Sequence, residues 1–260
     1  MPSDFPTASS NAHPLASEWQ PVHVFVPLHP DEVQIWRIDL PQPASAFETC
    51  LSLLNADESA RANRFRHSLA RQHFVLGRAS LRRLLAYHLG LAPEAIPLTT
   101  TPFGKPEISL PNVSLSFNVA HSANTILIAL SLRGRIGIDV EHINPTTDFL
   151  KIAQHSFTSV ENEILNAIAP PQDRRTAFYR GWTQKEAVTK ADGRGLSLST
   201  TSFEVPLLPT DTSPVAIAAS TDTSARIFYV SSLPLDETTA ASFATDTAAH
   251  KLCLLRFPVD

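Results

Sequence analysis

"LSFNVAHSANTILIALSLRGRIGIDVEHI", residues 115–143, is the stretch on which the fold turns. In its first eight residues Leu115, Phe117 and Val119 alternate with Ser116, Asn118 and Ala120, the period of two that marks a strand with two unlike faces. "TILIALSL", 125–132, reads as a nearly continuous apolar strand. Arg133-Gly134-Arg135 breaks the run as a turn. "RIGIDVEHI", 135–143, alternates again, with Ile136, Ile138 and Val140 facing inward.

On the N-terminal side, residues 21–40 hold strand-like apolar runs interrupted by prolines. "LPQPASAFETCLSLL" then turns helical, and "DESARANRFRH", 57–67, reads as a charged helix capped near Asp57. The strongest helical pattern is 68–90, where Phe74, Leu81, Leu84, Leu85 and His88 lie near one face and Gly90 is a stop. On the C-terminal side, helices are predicted over 148–155, 158–168 and 173–191. Strands follow in "TSFEVPLL", "PVAIAAS", "ARIFYVSS" and the terminal "HKLCLLRFPV". Strands and helices succeed one another twice, which predicts an α+β protein in two halves of similar size joined near residue 134. The halves span 21–134 and 135–260, behind a Pro-, Ser- and Ala-rich tail over 1–20 that is expected to be disordered.

Composition limits the function classes. A chain of 260 residues that is 43% hydrophobic and 18% charged can build a sizeable core. Its formal net charge of -4 argues against nucleic-acid binding through a broad basic surface. No apolar run approaches a membrane span, and the N-terminus lacks a basic segment followed by an apolar one, so the cytoplasm is the expected location. Cys50 and Cys253 fit no metal or disulfide spacing and read as reduced thiols.

The carboxylates suggest chemistry. Asp139 and Glu141 stand two apart on one strand face, so they share that face and repel unless a cation or proton relieves them. They form either a solvated strand face or a hard-cation site, since Mg²⁺ favours one or two carboxylates beside phosphates and water. In "GWTQKEAVTKADGRGL", 181–196, Trp182 opens what reads as a short helix, and Gly193 and Gly195 end it. Glu186 and Lys190 are i,i+4 neighbours on it, an ordinary ion pair if taken alone. Lys185 would point at substrate or only at water.

"GIDVE" followed by "WTQKEAVTKADGRGL", with "FGKPEI" (103–108) and "FNVAHS" (117–122) upstream, resembles the ordered motifs of 4′-phosphopantetheinyl transferases. The resemblance runs from about residue 57 to 203 and is to their larger, monomeric, surfactin-synthetase-activating type. It implies two α+β halves in a pseudo-twofold arrangement with a cleft between them. It further implies a holo-acyl-carrier-protein synthase activity: transfer of the 4′-phosphopantetheine arm of coenzyme A to a serine of an apo acyl or peptidyl carrier protein, with Mg²⁺, releasing adenosine 3′,5′-bisphosphate. Asp139, Glu141 and Glu186 match the family's metal ligands. Lys105, Pro106, His121, Lys185 and Lys190 match its coenzyme A contacts, and Lys190 is the better placed of the two helix lysines for phosphate. Arg61, His73 and a stripe of Arg71, Arg78 and Arg82 fall where the family binds the 3′-phosphate; the family pattern is basic at the position of His73. Ala120 departs from the small polar residue usual before His121. Glu161 aligns with a glutamate proposed to deprotonate the carrier serine, yet Thr158-Ser-Val-Glu161 is also a capping box. Coenzyme A and a carrier protein are thus the expected partners, of a monomer, with a non-catalytic module binding either of them as the alternative.

Overall fold

The computed structural model describes residues 18–101, 104–209, 213–218, 225–247 and 251–258. The chain opens with β1 (Gln20–Pro21), β2 (Glu32–Asp39) and three helices, α1 (Ala44–Ser52), α2 (Ala56–Asn63) and α3 (Ser68–Leu89). A small ribbon of β3 (Leu98–Thr100) and β4 (Pro106–Ile108) precedes β5 (Ser116–Ser122), β6 (Thr125–Ser131) and β7 (Ile136–His142). Three more helices follow, α4 (Phe149–Ser156), α5 (Ser159–Ala167) and α6 (Pro171–Asp192). The chain then runs through β8 (Ser213–Ala218), β9 (Ala225–Ser232), β10 (Thr239–Thr245) and β11 (Lys251–Arg256).

The protein is α+β, and the two halves repeat one plan. A strand is followed by three helices, the last of 22 residues in each case, and then by a strand pair whose second member returns beside the first strand. This gives β2-β6-β5 in one sheet and β7-β10-β9 in the other. α3 packs on the outer face of the first sheet, with Leu81, Leu84 and Leu85 meeting Trp36, Phe117 and Ile128 in its core. α6 covers the second sheet, with Ala187, Val188 and Ala191 against Val230 and Ala244. A third core joins the inner faces of the two sheets: Ile35, Leu127 and Ala129 from one, Ile136, Ile138, Val140 and Phe243 from the other. The period of two in "RIGIDVEHI" therefore turns Ile136, Ile138 and Val140 into the seam between the sheets.

Several sequence expectations need correction. The terminal strand, expected in the C-terminal half, lies in the first sheet, between β1 and β2 and parallel to both. Its alternation serves two cores at once: Leu252 and Leu254 face the inter-sheet core, while Leu255 and Phe257 face α3. Residues 1–17 of the expected tail lie outside the described residues, but Gln20 and Pro21 pair with β11, and Trp19 Nε1 donates to Pro234 O at 2.6 Å. "TSFEVPLL" is no strand. Its first two residues complete a 3₁₀ turn, Thr200–Ser202, and its Phe203 carbonyl and Val205 amide are used by Lys185 of α6 and Glu161 of α5 rather than by a ladder. β10, poor in β-branched residues, went unanticipated. α2 is capped by Asn55 rather than near Asp57, in a capping box with Glu58, and ends at Asn63. Gly90 ends α3 in the left-handed conformation, φ 66°, with its N–H on Ala86 O.

Among the described residues no helix is long and apolar enough to cross a membrane. Cys50 and Cys253 are both free thiols.

Candidate active site

A glycine decides how β7 meets α6. A Cβ at Gly137 would lie 2.0 Å from Ala187 O and 2.5 Å from Ala191 N, both helix backbone, so only glycine allows this approach. Asp139 and Glu141 share that face of the strand and are carried against the same helix. Trp182, Glu186 and Lys190 recur at four residues as the less buried stripe of α6. Trp182 thus stands mid-helix, not at a helix start.

Glu186, Thr189, Lys190 and Gly193 line one wall of a cleft of about 510 Å³, and Lys105, Pro106, Asn118 and Val119 from the N-terminal half line the other. Lys190 Nζ donates to Asp139 Oδ1 at 2.5 Å and to Ile138 O at 3.3 Å. Glu141 Oε2 accepts from Ser122 Oγ at 3.2 Å. Asp139 Oδ2 is buried without a hydrogen-bond partner among the described residues.

Burial raises the Asp139 carboxyl to about 7; Lys190 opposes this, and the charges of Glu141 and Glu186 add to it. Burial likewise raises Glu141, while its bond to Ser122 and then the Lys190 charge favour the ionised form. The three acids lie within electrostatic reach of one another. Even so, among the described residues no three His, Cys, Asp or Glu side chains converge as a ready-made metal cage. The Lys190 ammonium on Asp139 serves as the local cation. Asp139, with one oxygen unpartnered, and the nearby Glu141 and Glu186 are the oxygen donors here that could hold a hard divalent ion.

Lys185 and Glu161 lie elsewhere. Lys185 is fully buried: Nζ donates to Thr200 O and Phe203 O, both at 2.7 Å, and pairs with Glu161 Oε2 at 2.8 Å. The Phe203 ring centroid is 4.7 Å from the ammonium. Burial lowers the Lys185 ammonium, and Glu161 counters it. Glu161, also buried, accepts from Thr158 N at 2.7 Å and Val205 N at 2.8 Å, while Thr158 caps Glu161 N in return. Lys185 therefore points neither at substrate nor at water, and both Glu161 oxygens are committed to a helix cap, a loop amide and Lys185. The pair anchors the segment from Leu198 to Val205, whose Leu198, Ser199 and Thr200 line the cleft.

In the N-terminal half, Lys105 reaches across to α6 and β7, with Nζ on Lys190 O at 2.9 Å and Ile136 O at 3.3 Å; Phe103 of its motif lies outside the described residues. His121 stacks on His73 with ring centroids 4.4 Å apart, and His73 Nε2 bonds Ala123 O at 2.7 Å. Burial, then His73 and Lys190, lower the His121 imidazole. Arg61 is exposed on α2 over the Phe74 ring. None of His73, His121 and Arg61 lines the cleft. The arginine stripe breaks at Arg82, which is fully buried, forked onto Glu58 at 2.8 and 3.0 Å and bonded to the carbonyls of Pro93, Glu94 and Ile96.

Asp192 went unread in the sequence. It is buried, bonded to Arg194 and Arg226, and its carbonyl accepts from Arg135. An acid in the last turn of a helix opposes the helix dipole and calls for cations, a signal present in "ADGR". Thr189, whose buried hydroxyl has no partner among the described residues, carried no such signal.

Residues 135–246 match the family model of the 4′-phosphopantetheinyl transferase superfamily, and residues 40–133 match that of the 4′-phosphopantetheinyl transferase N-terminal domain. The chain is 37% identical over 199 residues to the 4′-phosphopantetheinyl transferase HetI of a Nostoc species, covering 76% of this chain and 83% of the relative. It is 31% identical over 179 residues to the 4′-phosphopantetheinyl transferase Sfp of Bacillus subtilis, covering 67% and 77%. Over 123 residues it is 35% identical to the 4′-phosphopantetheinyl transferase AcpT of Escherichia coli, covering 47% and 58%.

Proposed function

The chain belongs to the 4′-phosphopantetheinyl transferase superfamily, and from that premise we propose that it transfers the 4′-phosphopantetheine arm of coenzyme A to a serine of an apo acyl or peptidyl carrier protein. One observation carries the reading at the site. A buried, unpartnered Asp139 oxygen stands beside Lys190 at the wall of a cleft between the halves, with Glu141 and Glu186 close by.

Asp139, Glu141 and Glu186 are the residues that would hold Mg²⁺, which when bound neutralises charge on a pyrophosphate. Lys190, partly exposed on the cleft wall, supplies a positive charge for the phosphate oxygens. Lys105 braces the α6 terminus from which Lys190 projects. Gly193 and Gly195 leave room for substrate on that wall. The carrier serine gives its hydroxyl proton to solvent, its oxygen attacks the β-phosphorus in line, and the bond from that phosphorus to the departing adenosine 3′,5′-bisphosphate breaks. The protein's share is orientation and charge placement, with no covalent intermediate on the chain. Glu161 acts here through structure, holding Lys185 and the cleft-lining segment. A cytoplasmic, monomeric enzyme completes the proposal.

The test is to incubate the protein with coenzyme A, Mg²⁺ and apo carrier domains and weigh the carriers by mass spectrometry. Gain of one phosphopantetheine per carrier serine is expected, and its loss with Glu186→Ala. No mass gain across both acyl and peptidyl carriers overturns the reading.

A further inference from the structure

Among the described residues, β5 and β7 are edge strands of the two sheets, and no backbone ladder joins them. Edge strands leave N–H groups to be satisfied by other means. Here side chains of β5 do it. Asn118 Oδ1 accepts from Ile138 N at 2.9 Å, and Ser122 Oγ accepts from His142 N at 3.0 Å. Each bond spans twenty residues, so the two act as rungs at matching heights. Four residues apart on one strand, Asn118 and Ser122 share a face, and the two amides they serve share an edge. At the near end Ser116 Oγ donates to Gly134 O at 2.7 Å.

Ser122 does more than close the seam. A hydroxyl has one proton and two lone pairs. The His142 amide can only donate, so Ser122 receives it on a lone pair and keeps its proton for Glu141 Oε2 at 3.2 Å. Glu141, a residue of the C-terminal half, is thereby held from the N-terminal half by Ser122 of β5.

We propose that Ser122 is the positioning residue for Glu141: the N-terminal half aims a carboxylate of the C-terminal half through a single hydroxyl that also sets the height of β7. This rests on the reading of Glu141 as a cation ligand. Asn118 fixes the strand just before Asp139 without touching either carboxylate.

The experiment uses the full chain with saturating coenzyme A and follows Mn²⁺ binding by electron paramagnetic resonance, with amide exchange by NMR alongside. Ser122→Ala is expected to weaken Mn²⁺ binding about tenfold, the usual consequence of losing a hydrogen bond behind a metal ligand. Exchange should quicken at the His142 amide and stay unchanged at Ile138. Ser122→Thr, which keeps the hydroxyl, should restore both. If the alanine variant does not fold, Ser122→Cys, similar in size but a weak hydrogen-bonder, is expected to show the same loss of Mn²⁺ affinity. A Ser122 variant lacking the hydroxyl that binds Mn²⁺ as the wild type does overturns the proposal and leaves the metal reading standing. A wild type that binds no Mn²⁺ overturns both.

Discussion

At the scale of single residues, neighbours in sequence have unlike duties. Lys185 and Glu186 adjoin, yet one is sealed among Phe157, Phe203 and Glu161 while the other lines the cleft. Removing one partner of a buried ion pair strands the other. Glu161→Gln is therefore expected to cost about 3–5 kcal/mol in urea unfolding, and the additional change Lys185→Met should recover much of it. Transfer per folded molecule should survive Glu161→Gln far better than Lys190→Ala. Asp139 makes a pH prediction. Its folded carboxyl titrates near 7 against an ordinary value of 3.8, so the folded state holds the extra proton between these values. Stability contributed by that proton is present below about pH 4 and lost as pH rises through 7. In EDTA, Asp139→Asn should lack this loss, and its stability relative to the wild type should rise between pH 5 and 8 in thermal unfolding.

At the scale of elements, the decisive contact is β7 on α6. Gly137→Ala would drive a methyl into helix backbone that cannot step aside, whereas a Cβ at Gly181 meets mainly the flexible end of Leu207 at 2.3 Å. Overpacking of the first kind typically costs about 1–3 kcal/mol. Gly137→Ala is expected to lower the melting temperature and to abolish transfer by moving Glu186 and Lys190 away from Asp139. Gly181→Ala should lower stability while keeping more activity. Unfolding curves and carrier mass gain on both variants check this. The alternation of "RIGIDVEHI" and the four-residue spacing of Glu186 and Lys190 on a helix were legible because each depends only on local backbone geometry. "TSFEVPLL" misled because its apolar residues fit a strand while distant partners, Lys185 and Glu161, claim its backbone.

At the scale of the whole molecule, the first sheet is complete only when the last strand returns to it. Leu252, Leu254 and Leu255 are buried by that return, at about 2 kcal/mol each. That sum rivals the whole net stability of an ordinary domain. A fragment ending at residue 134 is expected not to fold, as judged by circular dichroism and NMR dispersion, although its family model ends at residue 133. The α+β class, the alternation of β5 to β7, the carboxylates of "GIDVE" and the spacing of Glu186 and Lys190 were determined by sequence alone, because periodicity and motif spacing are properties of short segments. Tertiary structure alone decided that β11 leaves its half, that Lys185, Glu161 and Arg82 are interior groups, and that Ser122 reaches Glu141. Each of these depends on which groups distant in sequence share a buried space, and that is settled only when helices, loops and sheets pack on one another.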